Sequence, residues 1–383
     1  MKTFSAKTSQ SGLADALVKA KAIAPQISVL FGAPGFFADR EAVEKTFAGA
    51  GLNVIGCSTA GEISGGRVSD DSFSLLSLHF DATEVKTAEA PLKNAQASRA
   101  AGQDIGKKLA APNLAGIFVL APGLNVNGSE FTRGIVETVG KNVVVTGGLA
   151  GDGGAFAATF TFVNGHVHGD HAVAFGLYGD KVSMRAGSGG GWKPFGPIRR
   201  VTKASANILY EIDGKPALKL YKEYLGAKAK DLPASGLLYP FSLLRDDSRE
   251  DTGLIRTILG IDDAAESLIL AGDMPQGSLV RLMHADTDSL VEGARSAAGD
   301  AGGTASADTA TLLVSCVGRK IIMGSDVEEE VEAVAAAIGP QSAYAGFYSY
   351  GEIGPAGTGT GTGAGSCELH NQTMTITHIR ESA

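Results

Sequence analysis

One short phrase recurs along this chain, and its recurrence limits the fold more than any other feature. Val-Ile-Gly-Cys-Ser-Thr-Ala-Gly-Glu-Ile runs from Val54 to Ile63, and Tyr-Ala-Gly-Phe-Tyr-Ser-Tyr-Gly-Glu-Ile from Tyr344 to Ile353, 290 residues later. A looser copy, Val-Thr-Gly-Gly-Leu-Ala-Gly-Asp, occupies Val145 to Asp152. Each is an apolar run that ends in small residues, a glycine and an acid. Glycine is abundant, 52 of 383 residues, so the flanks must decide whether the recurrence is more than chance.

The flanks agree. Leading apolar strands are expected at Ile27–Gly32, Ile117–Leu120 and Leu312–Val317, and they precede the key glycines Gly61, Gly151 and Gly351 by 34, 34 and 39 residues. Between strand and phrase lie helical patterns at 39–51, 129–140 and 325–339. Phe131, Ile135 and Val139 recur every four residues before the stop at Gly140. Val327, Val331, Val334 and Ile338 form one apolar face, and Ser325 with Glu328 reads as a capping box. Alternating or buried strands follow at Phe73–Phe80, His171–Tyr178 and Met374–Ile379, and a further helix precedes each copy at 11–24, 98–111 and 289–298.

The expected class is therefore α/β in the mixed α+β sense. Three related helix-strand-helix-strand-turn-strand units form mixed sheets, with a small α+β region inserted. The insertion is placed at 185–285, with strands at Ile208–Ile212, Phe241–Leu244, Leu254–Leu259, Ser267–Leu270 and Leu279–His284 and a helix from Pro216 to Leu225. Gly187–Pro197, which holds the single tryptophan Trp192, reads as a loop. Gly299–Ala307 reads as a flexible linker. Ala356–Gly365, with glycine at every second position, reads as slack or as a lid.

Composition closes off several functions. The chain has 44% hydrophobic and 19% charged residues, as globular proteins do, and a net charge of −8 without a basic aromatic patch, which argues against nucleic acid. No apolar run reaches the roughly 18 residues a membrane helix needs, and no signal peptide opens the chain, so a cytoplasmic protein is expected. Three cysteines, Cys57, Cys316 and Cys367, fit a reducing compartment.

Gly-Cys-Ser-Thr-Ala-Gly-Glu-Ile at 56–63, Gly-Gly-Leu-Ala-Gly-Asp at 147–152, Ile-Asp-Gly-Lys-Pro-Ala at 212–217, Ser-Tyr-Gly-Glu-Ile-Gly-Pro at 349–355 and Leu-His-Asn-Gln-Thr at 369–373 together resemble the FIST sensory family. The resemblance implies an amino-terminal FIST region, 1–184 with two units, and a carboxy-terminal one, 185–383, with the insertion and the third unit at 286–383. It implies a sensor that binds a small molecule such as an amino acid and regulates a separate partner, for instance a histidine kinase in two-component signalling. Some members of the family resemble haem-carrying nitric oxide sensors. No kinase, cyclase or receptor segment is read in these residues, so the output is expected on another chain.

Candidate ligand-binding residues follow from the strand ends. Glu62, Asp152 and Glu352 close equivalent strands, where an acid either accepts N–H bonds across its own turn or faces a ligand amine. Cys57, Ser58, Thr59, Ser349 and Tyr350 lie beside them, although alternation sends neighbours to opposite faces. His370, Asn371 and Thr373 open the last strand, and Trp192 joins the set from its loop. Haem, if bound, is expected on His370. His166, His168 and His171 cluster, with His166 and His168 on one strand face, but turns on both sides favour an exposed hairpin, and no metal site is expected. An enzyme is not expected. The rival is a hydrolase or transferase with Cys57 or Ser58 as nucleophile, for which no histidine lies close in sequence and no nucleophile-elbow, zinc or phosphate-loop motif is present.

Overall fold

Alternation along the apolar runs decides how the sheets pack. In Ile27–Gly32, the side chains of Ile27, Val29 and Phe31 join one core and that of Leu30 joins another. A strand buried on both faces needs a layer on each side. In the computed structural model, which describes residues 1–304, 306, 308–356 and 367–382, one layer is a central apolar core and the other is helical.

The described residues form three related units in a mixed α+β fold. Each leading strand pairs in parallel with the strand of the recurring phrase: Ile27–Gly32 with Val54–Ser58, Leu114–Ala121 with Val144–Leu149, and Thr309–Cys316 with Ala343–Ser349. The helices Arg40–Phe47, Gly128–Val139 and Val327–Ile338 make the crossovers. Return strands Phe73–His79, His171–Tyr178 and Met374–Glu381 run antiparallel beside the leading strands. The sequence reading missed the strand that opens each unit, and it ran the phrase on to its acid as one strand where the strands end at Ser58, Leu149 and Ser349 and a hairpin follows. Lys2–Thr8, Glu84–Pro91 and Val182–Gly189 open the units as edge strands, each paired with the return strand of its own unit. In the first two, alternation is blurred by lysines and acids, as solvent-facing edges are.

After the phrase each unit gives its hairpin away. Glu62–Ser64 pairs with the third unit at Gly346–Phe347, Thr161–Val163 with the first at Ile55–Cys57, and Gly351–Pro355 with the second at Gly147–Leu149. The exchange is cyclic and closes three six-stranded sheets around one core. At its centre Phe31 stacks on Phe347 at 4.5 Å and meets the edge of Phe118 at 6.5 Å, so all three sheets contribute a ring. Separate outer cores join each sheet to its helices.

The recurring glycine has a steric cause. Gly56, Gly147 and Gly346 lie opposite Leu30, Val119 and Leu313. A Cβ at these positions would come within 2.1, 1.8 and 2.4 Å of the facing carbonyl oxygen. Gly346→Ala is accordingly expected to cost about 1–3 kcal/mol of stability, as overpacking does. A lower urea midpoint checks this, and an unchanged one would mean that the strands can part freely.

The inserted region lies between Val182–Gly189 and the helix Thr287–Asp300. Its nine-stranded sheet and the helix Ala217–Leu225 enclose a core of their own around Leu209, Tyr221, Leu268 and Val280. Four of its five expected strands stand as read, and the fifth divides into Asp251–Arg256 and Ile258–Asp262. Val182–Gly189 runs through the boundary expected near 185 and takes Gly187–Gly189 out of the expected loop. The expected capping box does not form: the Ser325 hydroxyl donates to Asp326, while Glu328 pairs with Arg67 of unit one at 2.7 Å. Of the expected glycine-rich lid, 357–365 lies outside the described residues, as do 305 and 307 of the expected linker. Among the described residues no helix is long and apolar enough to cross a membrane.

Candidate functional site

The three acids are consumed by their own turns. Glu352 is fully buried and accepts from the Ser349 hydroxyl at 2.7 Å and from the Thr373 N–H and hydroxyl at 3.1 and 3.0 Å. Glu62 repeats the pattern, taking the Thr59 hydroxyl at 2.5 Å and the Ser72 N–H and hydroxyl at 3.0 and 2.9 Å. Each thus ties the phrase to the start of its return strand. Asp152 has a shorter side chain on a phrase one residue shorter, and it bonds the N–H groups of Phe156, Ala157 and Ala158 and the Tyr350 hydroxyl instead. Burial outweighs the hydrogen bonds at Glu352 and pushes its pKa up to about 7; Glu62 is raised for the same reason. At Asp152 burial also pushes upward, but the Tyr350 and backbone bonds prevail and hold it below the usual carboxylate range. The acids therefore brace the turns rather than offering charge to a ligand.

The turns themselves do meet. The Ser58 hydroxyl donates to the Gly151 carbonyl at 2.7 Å, the Ala60 N–H to Tyr348 at 2.8 Å, and the Tyr350 N–H to Leu149 at 3.1 Å. These links join all three units at one end of the central core.

Beside that junction opens a cavity of about 430 Å³, between units two and three and the inserted sheet. This volume suits a small ligand. Leu124, Val126, Leu149, Leu232, Ile258, Leu270 and Val317 are among the apolar side chains of its wall. Phe156, Leu259 and Ile321, exposed at 51, 48 and 52%, stand on its lining, so large apolar side chains face solvent there. Phe156 stacks on Tyr350 with ring centroids 4.4 Å apart. Among this wall sit Thr257, Asn371 and Gln372, and the buried Thr257 Oγ1, Asn371 Oδ1 and Gln372 Oε1 have no hydrogen-bond partner among the described residues. A buried polar atom left unpaired costs about 1–3 kcal/mol unless something supplies the bond. No lysine or arginine lines the cavity among the described residues, and Asp231 is its one acid.

Gln372 is the hub. It adopts a left-handed backbone, φ 60°, and its side chain donates to the Leu237 carbonyl of the inserted region at 3.1 Å. Its own carbonyl accepts from the Trp192 indole at 2.9 Å and from Arg319 at 3.3 Å. Trp192 therefore touches the site from behind.

Of the residues singled out from sequence, Tyr350 and Asn371 line the cavity, and Trp192 and Thr373 adjoin it through Gln372. Ser58, Thr59 and Ser349 hold the turns. Cys57 lies in the central core with its thiol pushed far up by burial and then by Glu62, so it offers no thiolate. His370 is buried, with a pKa lowered to about 4 by desolvation and then by Arg256, and is not part of the cavity wall. Cys316 does line the wall, but burial holds its thiol protonated. The cavity therefore does not fit haem through His370. Sequence reasoning missed Thr257, a lone threonine between two strands of the insertion. It also passed over Gln372, although that residue lies inside the phrase at 369–373.

The FIST N domain matches residues 27–215 and the FIST C domain residues 217–355. An uncharacterized protein of Methanocaldococcus jannaschii is 29% identical over 267 residues, which are 63% of this chain and 50% of that protein; the chain spans about half the length of this relative. Among solved structures, a cyanuric acid hydrolase from A. caulinodans aligns over 100% of this chain and 99% of its own, at 9% identity and a TM-score of 0.39.

Proposed function

The chain belongs to the FIST family, whose domains generally serve signal transduction as sensors, and we propose that it senses a small, uncharged, partly apolar ligand that donates hydrogen bonds. The carrying observation is the 430 Å³ cavity with a largely apolar wall, whose lining residues Thr257, Asn371 and Gln372 each hold a buried polar atom without a partner among the described residues. A ligand bearing N–H or O–H groups, such as an amide or a phenol, satisfies them once these side chains turn toward it, while its apolar part covers Ile258, Val317 and Phe156. A free amino acid fits less well, because Glu62, Asp152 and Glu352 are already committed and no lysine or arginine of the wall meets a carboxylate. A binding protein rather than an enzyme is favoured by the buried Cys57 and by a Ser58 hydroxyl that already donates to a carbonyl. Ligand contact at Gln372 then alters how the inserted sheet sits against the third unit, and a separate signalling protein such as a histidine kinase responds.

Thr257→Val separates site from scaffold. Removing an unpartnered hydroxyl without changing shape is expected to raise stability by about 1 kcal/mol while weakening the ligand about tenfold. A thermal-shift screen of neutral amides and phenols on both proteins reads the two effects together. A less stable Thr257→Val, or a hit that stabilises both proteins equally, would count against the cavity.

A further inference from the structure

The hairpin that unit two gives to unit one ends at a crossing point. His166–His168 lies in the sheet of unit one, and after Gly169 and Asp170 the chain enters His171–Tyr178 in the sheet of unit two. Ligand atoms of His168, Asp170 and His171 all lie within 4.8 Å of one another there. The imidazole rings pack with centroids 4.4 Å apart, and His171 Nδ1 stands 2.8 Å from Asp170 Oδ1. Glu89, on the edge strand of unit two, brings its Oε2 to 3.7 Å from His168 Nε2. Both imidazoles keep 24% of their side-chain surface exposed, enough for an ion to enter. The sequence pairs His166 with His168 on one face, whereas the structure groups His168 with His171 and leaves His166 outside.

We propose that His168, Asp170 and His171, with Glu89 as fourth donor, form a binding site for a divalent transition-metal ion of the zinc type. Two imidazoles and one or two carboxylates are a donor set that zinc accepts, and the neighbouring ligand atoms of a tetrahedral site stand about 3.3 Å apart. Asp170 and Glu89 are about half exposed, which leaves their carboxylates free to rotate toward a shared ion. The ion would bridge a strand of one sheet to two strands of another, pinning the exchanged hairpin to its own unit.

The test uses the full chain, stripped with EDTA and titrated with zinc chloride in a calorimeter while melting is followed in parallel. One ion per chain and a melting temperature that climbs with zinc are expected. His168→Ala and His171→Ala should weaken binding by more than about 100-fold, beyond what loss of an outer partner costs, and His166→Ala by less than about threefold. Circular dichroism without metal confirms that each variant folds, and His171→Gln replaces His168→Ala if that one does not. Absence of saturable heat up to millimolar zinc, or a His166→Ala defect equal to that of His168→Ala, would overturn the assignment.

Discussion

Replacing Arg319 by methionine is expected to cost about 3–5 kcal/mol of folding stability, because it leaves a buried carboxylate without its counter-charge. Arg319 and Glu330 are both fully buried, 2.8 Å apart, on neighbouring helices of unit three. The Glu330 carboxylate also accepts from Ser315 at 2.9 Å and Tyr348 at 2.8 Å, bonds that hold it in place but carry no positive charge. The guanidinium reaches further, donating to the carbonyls of Gly190 at 2.6 Å, Leu290 at 2.7 Å and Gln372 at 3.3 Å. It thereby joins the loop leading into the insertion, the helix that follows it and the hub of the cavity. Replacing both partners with apolar residues should recover much of the loss, since burying the pair carries a desolvation cost of its own. Urea denaturation of the two single variants and the double one gives the cycle. A single-variant cost below about 1 kcal/mol would show that solvent reaches the pair.

Glu352→Gln is expected to change the pH dependence of stability more than stability itself. The folded pKa of Glu352 is about 7 against an ordinary 4.5. Between those values the folded chain keeps a proton that the unfolded chain has lost, so this residue makes stability fall as pH rises through the window, by up to about 3 kcal/mol in all. His370, opposite Glu352 in register, has the reverse effect. Its pKa is lowered from 6.5 to about 4, so the unfolded chain binds the extra proton and stability rises with pH across that range. The two slopes oppose each other in the native sequence. A glutamine can accept from Thr373 through its oxygen and donate to Ser349, so the turn survives while the opposing slope is exposed. Relative to the native protein, Glu352→Gln should therefore gain stability from pH 4.5 to pH 7. Parallel curves for the two proteins over that range would contradict the buried, protonatable state of Glu352.

The units were legible because each one repeats the same local problem. Gly56, Gly147 and Gly346 recur to let two parallel strands close, and the following acid recurs to lock a turn. The recurrence that marked the acids as ligand contacts thus has a structural origin. The hairpin exchange was not legible, since nothing in Thr161–Val163 records that its partner is Ile55–Cys57 rather than a strand of its own unit. The cavity was half legible. Tyr350 stands in the recurring phrase and Asn371 in the phrase at 369–373, whereas Thr257 is placed by the packing of the insertion against units two and three, which no local pattern encodes.

If a ligand enters the cavity at Gln372, Trp192 should report it, because this one tryptophan of the chain donates to that residue's carbonyl. Tryptophan emission is therefore followed during titration with the best neutral amide or phenol from the screen. A saturable change is expected in the native protein, with a loss of affinity of about tenfold or more in Gln372→Leu. A saturable ligand bound equally well by Gln372→Leu and Thr257→Val would place the sensing site elsewhere.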